Sequence, residues 1–278
     1  MAGSCVRIVG KVEEVIFMIE ELKVSDVMTR DIIYVDKNAD LEHILHLMEK
    51  HRITKLPVLE NGKPIGIVTD GEIAYKLGSL RSRDVNPSHL YASSVMVRDF
   101  DTLKPDTPLE EIIRTVGLPG LTMLLVVEEG KLVGVITKAD LLPLVKDERP
   151  VKEIMSRNVI TVQPDDRVVH ARRKLIEYGV ARLPVVEEGK VLGVIAEMDI
   201  ARAFANLKRS VPYRHQKHQL EELTVRDAMN APAITTDSST SIRSAAEIMV
   251  QNDVGCLPIV NDRLEGIVTR TDLIKTLK

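Results

Sequence analysis

Leu41, Ile44, Leu45 and Met48 recur at i, i+3, i+4 and i+7, the spacing that gathers apolar side chains on one face of a helix. Two apolar runs follow, Leu56-Pro57-Val58-Leu59 and Pro64-Ile65-Gly66-Ile67-Val68. Asn61-Gly62 between them predicts a tight hairpin. A short β-rich stretch, Ile32 to Val35, precedes the helix, and Thr69-Asp70-Gly71-Glu72 opens a second helix. Headed by Val24-Ser25-Asp26-Val27-Met28, the segment reads β-α-β-β-α.

The pattern then returns. Met155 lies 127 residues after Met28, and Leu183-Pro184-Val185 lies at the same offset from Leu56-Pro57-Val58. Gly66, Gly134, Gly193 and Gly266 mark one place in four related units. A second unit has helix positions Leu109, Ile112, Ile113 and Val116 and a hairpin turning at Glu128-Glu129-Gly130-Lys131. The third turns at 187–190 and the fourth at Asn261-Asp262-Arg263. A fixed period is the signature of repeated supersecondary units, none of which buries both faces of its small sheet alone. The expected fold is mixed α/β (α+β), with units at 23–80, 92–147, 149–207 and 222–278 behind an extension at 1–22. Residues 75–93 and 203–222 look polar and irregular, and the connection near Glu148-Arg149-Pro150 is short, so consecutive units are expected to pair about pseudo-two-fold axes.

Composition narrows the classes. Apolar residues make up 44% and aromatics only 3%, so the core must come from aliphatic side chains. A net charge of −3 gives no global pull toward nucleic acid. Cys5 and Cys256 make no disulfide framework and suit a reducing cytoplasm. The apolar run Val15 to Ile19 is too short for a membrane span and is flanked by glutamates, unlike a secretory leader.

Gly-Val-Ile-Thr-x-x-Asp at 134–140 and Gly-Ile-Val-Thr-x-x-Asp at 266–272, each after a hairpin, resemble the cystathionine-β-synthase (CBS) domain. The resemblance runs from about Val24 to the C-terminus. It implies two tandem modules of paired CBS units, called Bateman modules, similar in plan to the gamma subunit of the AMP-activated protein kinase. The corner where the last strand meets its helix reads Thr69/Glu72, Thr137/Asp140, Ala196/Asp199 and Thr269/Asp272. Thr-x-x-Asp at a helix start is also a capping box. The family resemblance implies that such Thr and Asp residues hold the ribose of a nucleotide. Phosphates need cations, and two residues before the hairpin proline stand Lys55 and Arg182, with Met123 and Cys256 in the other two units. In similar proteins this position reaches phosphate. Two pockets are therefore expected, Thr137/Asp140 with Lys55 and Thr269/Asp272 with Arg182; solvated surface charge is the alternative for both cations. Thr107 and Thr240 precede the first helix of their units, either near a base or as helix caps. Ile53, Val180 and Val254 would line a base or belong to the core.

The remaining signals are weaker. Glu42, His43 and His46 share a helix without an evident third metal ligand, so no metal is expected. Lys208, Arg209, Arg214, His215, Lys217 and His218 form a basic stretch that reads first as solvated linker and only second as a nucleic-acid contact. No phosphate loop and no nucleophilic triad stands out. The reading is a cytoplasmic, non-catalytic energy sensor that binds AMP, ADP or ATP between CBS units, with no other cofactor. It acts on an unidentified protein partner, and a homodimer is compatible with it. The alternatives are S-adenosylmethionine or another adenosyl ligand, and nucleic acid.

Overall fold

Every predicted hairpin forms, and each is framed by the predicted helices. A computed structural model describes residues 19, 21–79, 86–115 and 123–278. Cys5, the apolar run at 15–18 and the helix position Val116 lie outside the described residues. Repeat one contains α1 (Val24–Val27), β1 (Val35–Asp36), α2 (Leu41–His51), β2 (Lys55–Glu60), β3 (Lys63–Thr69) and α3 (Asp70–Leu77). Repeat two contains α4 (Ala92–Val95), β4 (Thr102–Leu103), α5 (Leu109–Thr115), β5 (Leu124–Glu128), β6 (Lys131–Ile136) and α6 (Lys138–Leu141). Repeat three begins with a 3-10 turn at Val151–Glu153, then α7 (Val168–Tyr178), β7 (Arg182–Glu187), β8 (Lys190–Ala196) and α8 (Glu197–Ser210). Helix α9 (Tyr213–Glu222) leads to repeat four, with α10 (Val225–Ala228), α11 (Ile242–Gln251), β9 (Cys256–Asn261), β10 (Arg263–Thr269) and α12 (Arg270–Ile274).

Local chemistry explains the elements. Asp40 caps α2 by accepting the His43 N–H at 2.8 Å, and Leu41, Ile44 and Met48 bury the predicted face. In the first hairpin Asn61 and Gly62 have φ of 53° and 77°, the paired positive values of a type I′ turn. β1 and β4 add parallel to β2 and β5. Repeats three and four replace that third strand by single parallel bridges, Val162 to Val185 and Thr236 to Ile259.

The chain divides into two compact units. The odd unit comprises Ile33–Phe100 and Ile160–Ala233 and holds the bodies of repeats one and three. The even unit comprises the described residues up to Ile32, with Asp101–Val159 and Ile234–Lys278, and holds repeats two and four. Each has its own apolar core. Each unit thus packs two alternate repeats around one core.

The boundaries fall where they do because each repeat gives its head away. The Met28 segment lies on repeat two, with Thr29 and Val135 exchanging both backbone hydrogen bonds. Met96-Val97 lies on Ile67 of repeat one, Ser156 on Ile267 of repeat four, and Asn230 on Val194 of repeat three, each with the same reciprocal pair. This explains the repeated glycine. A Cβ on Gly66 would come within 2.8 Å of Met96 Sδ, and one on Gly266 within 2.7 Å of Met155 Sδ. The Met of one repeat and the Gly of its neighbour form one lock, four times over.

Two expectations need correction. Residues 203–222 are not irregular: α8 continues to Ser210 and α9 fills Tyr213–Glu222. The basic stretch is not wholly solvated either, because Lys208 is 4% exposed. Helix α8 has a clear apolar stripe, Ile200, Ala201, Phe204 and Leu207, which the strongly charged neighbours masked in the sequence.

Candidate functional site at the strand-to-helix corners

In the even unit both corners close as capping boxes. Asp140 Oδ2 accepts the Thr137 N–H and hydroxyl, both at 2.7 Å. Asp272 Oδ2 accepts the same pair from Thr269 at 2.8 and 2.6 Å. The other oxygen of Asp140 accepts the Thr29 hydroxyl at 2.7 Å, a contact made by the exchanged head. Both carboxylates remain partly exposed. The residues following the two threonines are basic. Lys138 Nζ donates to Thr271 Oγ1 at 2.8 Å, linking the starts of α6 and α12. Arg270 donates to Val254 O and Asp253 at 3.2 and 3.1 Å.

The odd unit uses the corner differently. Thr69 Oγ1 accepts the Glu72 N–H at 3.2 Å, a simple N-cap. Asp199 accepts the Ala196 N–H at 2.8 Å and the Asn230 side-chain amide at 2.7 Å, again from the exchanged head. It is 6% exposed, and burial pushes its carboxyl up, opposed by those two bonds. The residues after the corner are acidic here. Asp70 starts α3 and is also 6% exposed. Burial raises its carboxyl, while Lys55 and Arg182 pull the other way. Glu197 starts α8, and burial followed by the Asp70 charge pushes it up to about 7.

Lys55 and Arg182 both belong to the odd unit, with Thr69/Glu72 and Asp199, whereas Thr137/Asp140 and Thr269/Asp272 belong to the even unit. Lys55 pairs with Thr69 across β2 and β3, and Arg182 with Ala196 across β7 and β8. Each cation therefore stands at the foot of an acidic helix start and acts on Asp70 and Glu197, so neither is a plain solvated surface charge. Thr107 closes a local turn, its Oγ1 accepting the Lys104 N–H at 3.2 Å, and its carbonyl takes the Val24 N–H. Thr240 shares a hydroxyl contact of 2.7 Å with Thr236, and its carbonyl takes the Val151 N–H. Both carbonyls anchor an exchanged head. Ile53, Val180 and Val254 pack against the cores, and Cys256 is buried. Among the described residues no group of three or more His, Cys, Asp and Glu is placed to hold a metal ion. None of their helices is long and apolar enough to cross a membrane.

The sequence reading missed Asp70, Glu197, Lys138, Arg270, Thr29 and Asn230. The first four could have been found by aligning the position after the corner residue across the repeats, where acid and base alternate. Thr29 and Asn230 could not, because the exchange of heads has no local signature.

The CBS domain profile matches residues 24–79, 92–147, 151–206 and 225–278. The chain belongs to the CBS domain family and carries four copies of the domain. Its sequence is 27% identical to protein MJ1225 of Methanocaldococcus jannaschii over 88% of this chain and 95% of that one. It is 30% identical to protein MJ1404 of the same organism, over 91% of this chain but 61% of the longer relative. The crystal structure of MJ1225 superposes with a TM-score of 0.79 at 26% identity, covering 91% of this chain and 99% of that one. A conserved protein of Pyrococcus horikoshii shares the fold with a TM-score of 0.58 at 20% identity.

Proposed function

We propose that the chain is a non-catalytic regulatory protein that binds an adenine nucleotide, AMP, ADP or ATP, at its corner sites and transmits occupancy to a protein partner. The observation that carries the reading is the pair of Thr-Asp corners in the even unit. Thr137/Asp140 and Thr269/Asp272 present partly exposed carboxylates at the carboxyl ends of strands, where α/β folds receive ligands. Such a carboxylate can accept from vicinal hydroxyls of a ribose. Lys138 and Arg270, one residue after each threonine, add positive charge suited to a phosphate tail. MJ1225, the similar structure, has been put forward as an archaeal homolog of g-AMPK, which agrees with energy sensing. A nucleotide the size of AMP, at roughly 0.3 kcal/mol per heavy atom, would bind near 10 μM.

An alternative occupant of the same Thr-Asp corners is another adenosyl ligand such as S-adenosylmethionine, whose ribose offers the same vicinal hydroxyls. Thermal shift and calorimetry with AMP, ADP, ATP and S-adenosylmethionine test both readings. At 100 times Kd one bound ligand adds about 2.7 kcal/mol of stability. Asp272→Ala and Asp140→Ala should each remove the share of one site. Silence across the whole panel would overturn the proposal.

A further inference from the structure

In the odd unit, helices α3 and α8 run against each other from their first residues. Small side chains on α3 allow the approach. A Cβ on Gly71 would lie 2.7 Å from Glu197 Oε1, and one on Gly78 would lie 2.7 Å from Phe204 Cε2. Ala74 between them is 4% exposed. The contact therefore brings the start of α3, with the buried carboxyl of Asp70, onto the start of α8, with the carboxyl of Glu197. Asp70 and Glu197 occupy equivalent positions in repeats one and three, each the first residue of its helix, and the Glu197 carboxylate lies against Gly71, the residue after Asp70.

We propose that Glu197, packed on Gly71 beside the buried Asp70, is a proton-operated latch between repeats one and three, closed when Glu197 carries a proton and strained when both carboxyls are charged. Two like charges at close range in a low-dielectric contact repel, and one proton removes the repulsion. The charged groups acting on Glu197 are Asp70 and Glu72 from α3, Lys55 from the start of β2 and Arg182 from the start of β7. The two acids raise its proton affinity and the two bases lower it. On α8 itself Asp199 is held by Ala196 N–H and Asn230, and Arg202 pairs with Glu49 of α2 at 3.7 Å. At the far end of α3, Arg172 of α7 binds Ala74 O and Tyr75 O and leaves the acids alone. Burial with the neighbouring Asp70 sets the Glu197 midpoint at about 7, so the latch would operate near neutral pH.

The sign follows from proton binding. Folded Glu197 titrates above its ordinary carboxylate range, so the folded protein holds a proton that the unfolded chain has released. Its stabilising effect is fully present below the ordinary carboxylate range and is lost as pH rises through about 7.

The test compares thermal melts of the full chain from pH 5 to pH 8 without nucleotide. The wild type should lose roughly 5 °C more over this range than Glu197→Gln, which carries a permanent neutral side chain of the same shape. Asp70→Asn keeps Glu197 but removes the opposing charge, and should move the midpoint of the loss to lower pH. Carbon-13 labelling of glutamate side chains gives an independent reading: one carboxyl should titrate near neutral pH and vanish in Glu197→Gln. Parallel pH profiles for wild type and Glu197→Gln, or a Glu197 carboxyl that titrates in the ordinary range, would overturn the latch. Because no nucleotide enters these measurements, their outcome is separable from that of the proposed function.

Discussion

The odd and even units share one chain plan but spend the same positions on opposite charges. In the odd unit the helices after the corners are long, α3 at 8 residues and α8 at 14, and pack along a stripe of small residues. Their first residues are Asp70 and Glu197. In the even unit the matching helices are short, α6 at 4 residues and α12 at 5, and their first residues are Lys138 and Arg270. Acids at a helix start agree with the helix dipole, and bases oppose it. The odd unit has thus turned its corners toward internal packing, burying Asp70 and Asp199. The even unit keeps complete, partly exposed Thr-Asp corners, each followed by a base, Lys138 or Arg270.

The largest effect should come from the lock between head and hairpin, and it should differ between the units. A Cβ on Gly193 would meet the backbone oxygen of Asn230 at 2.5 Å, and backbone cannot step aside. On Gly134 the atoms it would meet belong to the Met28 side chain, whose thioether can rotate away. Gly193→Ala should cost about 3 kcal/mol and Gly134→Ala less than about 1.5 kcal/mol by urea unfolding. Equally small costs would mean that the heads are held loosely in both units, and equally large costs that Met28 is as fixed as the Asn230 backbone.

Next in size are the corner carboxylates. Asp199→Ala would leave the Ala196 N–H and the Asn230 amide without their acceptor inside the odd unit, a loss of about 2 kcal/mol. Asp272→Ala removes a cap at a partly exposed corner and should cost about 1 kcal/mol. If Asp272 is a ligand residue, its variant should lose nucleotide binding out of proportion to this small cost. Asp199→Ala should instead lose stability out of proportion to any binding change. Measuring unfolding and AMP binding on both variants separates the roles, and a reversed ranking would break the contrast between the units.

Much of this was readable in advance, for identifiable reasons. Periods of 3.6 and 2 are local, so α2, the hairpins and the four-fold repeat were legible from Leu41, Asn61-Gly62 and Gly66. The corner motif was legible as well, because its cap and its ligand reading use the same Thr and Asp. The partners of Lys55 and Arg182 were not. They follow from which repeats pack together, and that depends on the Gly71, Ala74 and Gly78 stripe meeting Glu197 and Phe204, residues more than a hundred positions away. Helix α8 was hidden for another reason. Its charged residues carry long aliphatic stems, and Lys208 is buried despite its charge. The exchanged heads left a trace only in the paired recurrence of Met and Gly, which periodicity alone could not attach to each other.

The smallest predicted effect concerns the far end of the odd unit's helix contact. Arg172 on α7 donates to Ala74 O at 3.1 Å and to Tyr75 O at 3.0 Å, closing the C-terminal end of α3, and its guanidinium lies 5.2 Å from the centre of the Tyr75 ring. The fifth residue of the matching helix α11, equivalent to Arg172, is Ala246, which is simply buried in the even unit's core. One unit therefore joins its helices there by a charged fork and the other by apolar contact. Lysine can replace the charge over the ring but not the two-pronged bonding. Arg172→Lys should cost about 0.5 kcal/mol and Arg172→Ala about 1 kcal/mol, the latter screened because the ring is half exposed. Salt should reduce the alanine cost only slightly, since carbonyl acceptors carry no net charge. A cost for Arg172→Lys equal to that for Arg172→Ala would assign the whole effect to the fork, and no cost for either would show that the small-residue stripe holds α3 and α8 together unaided.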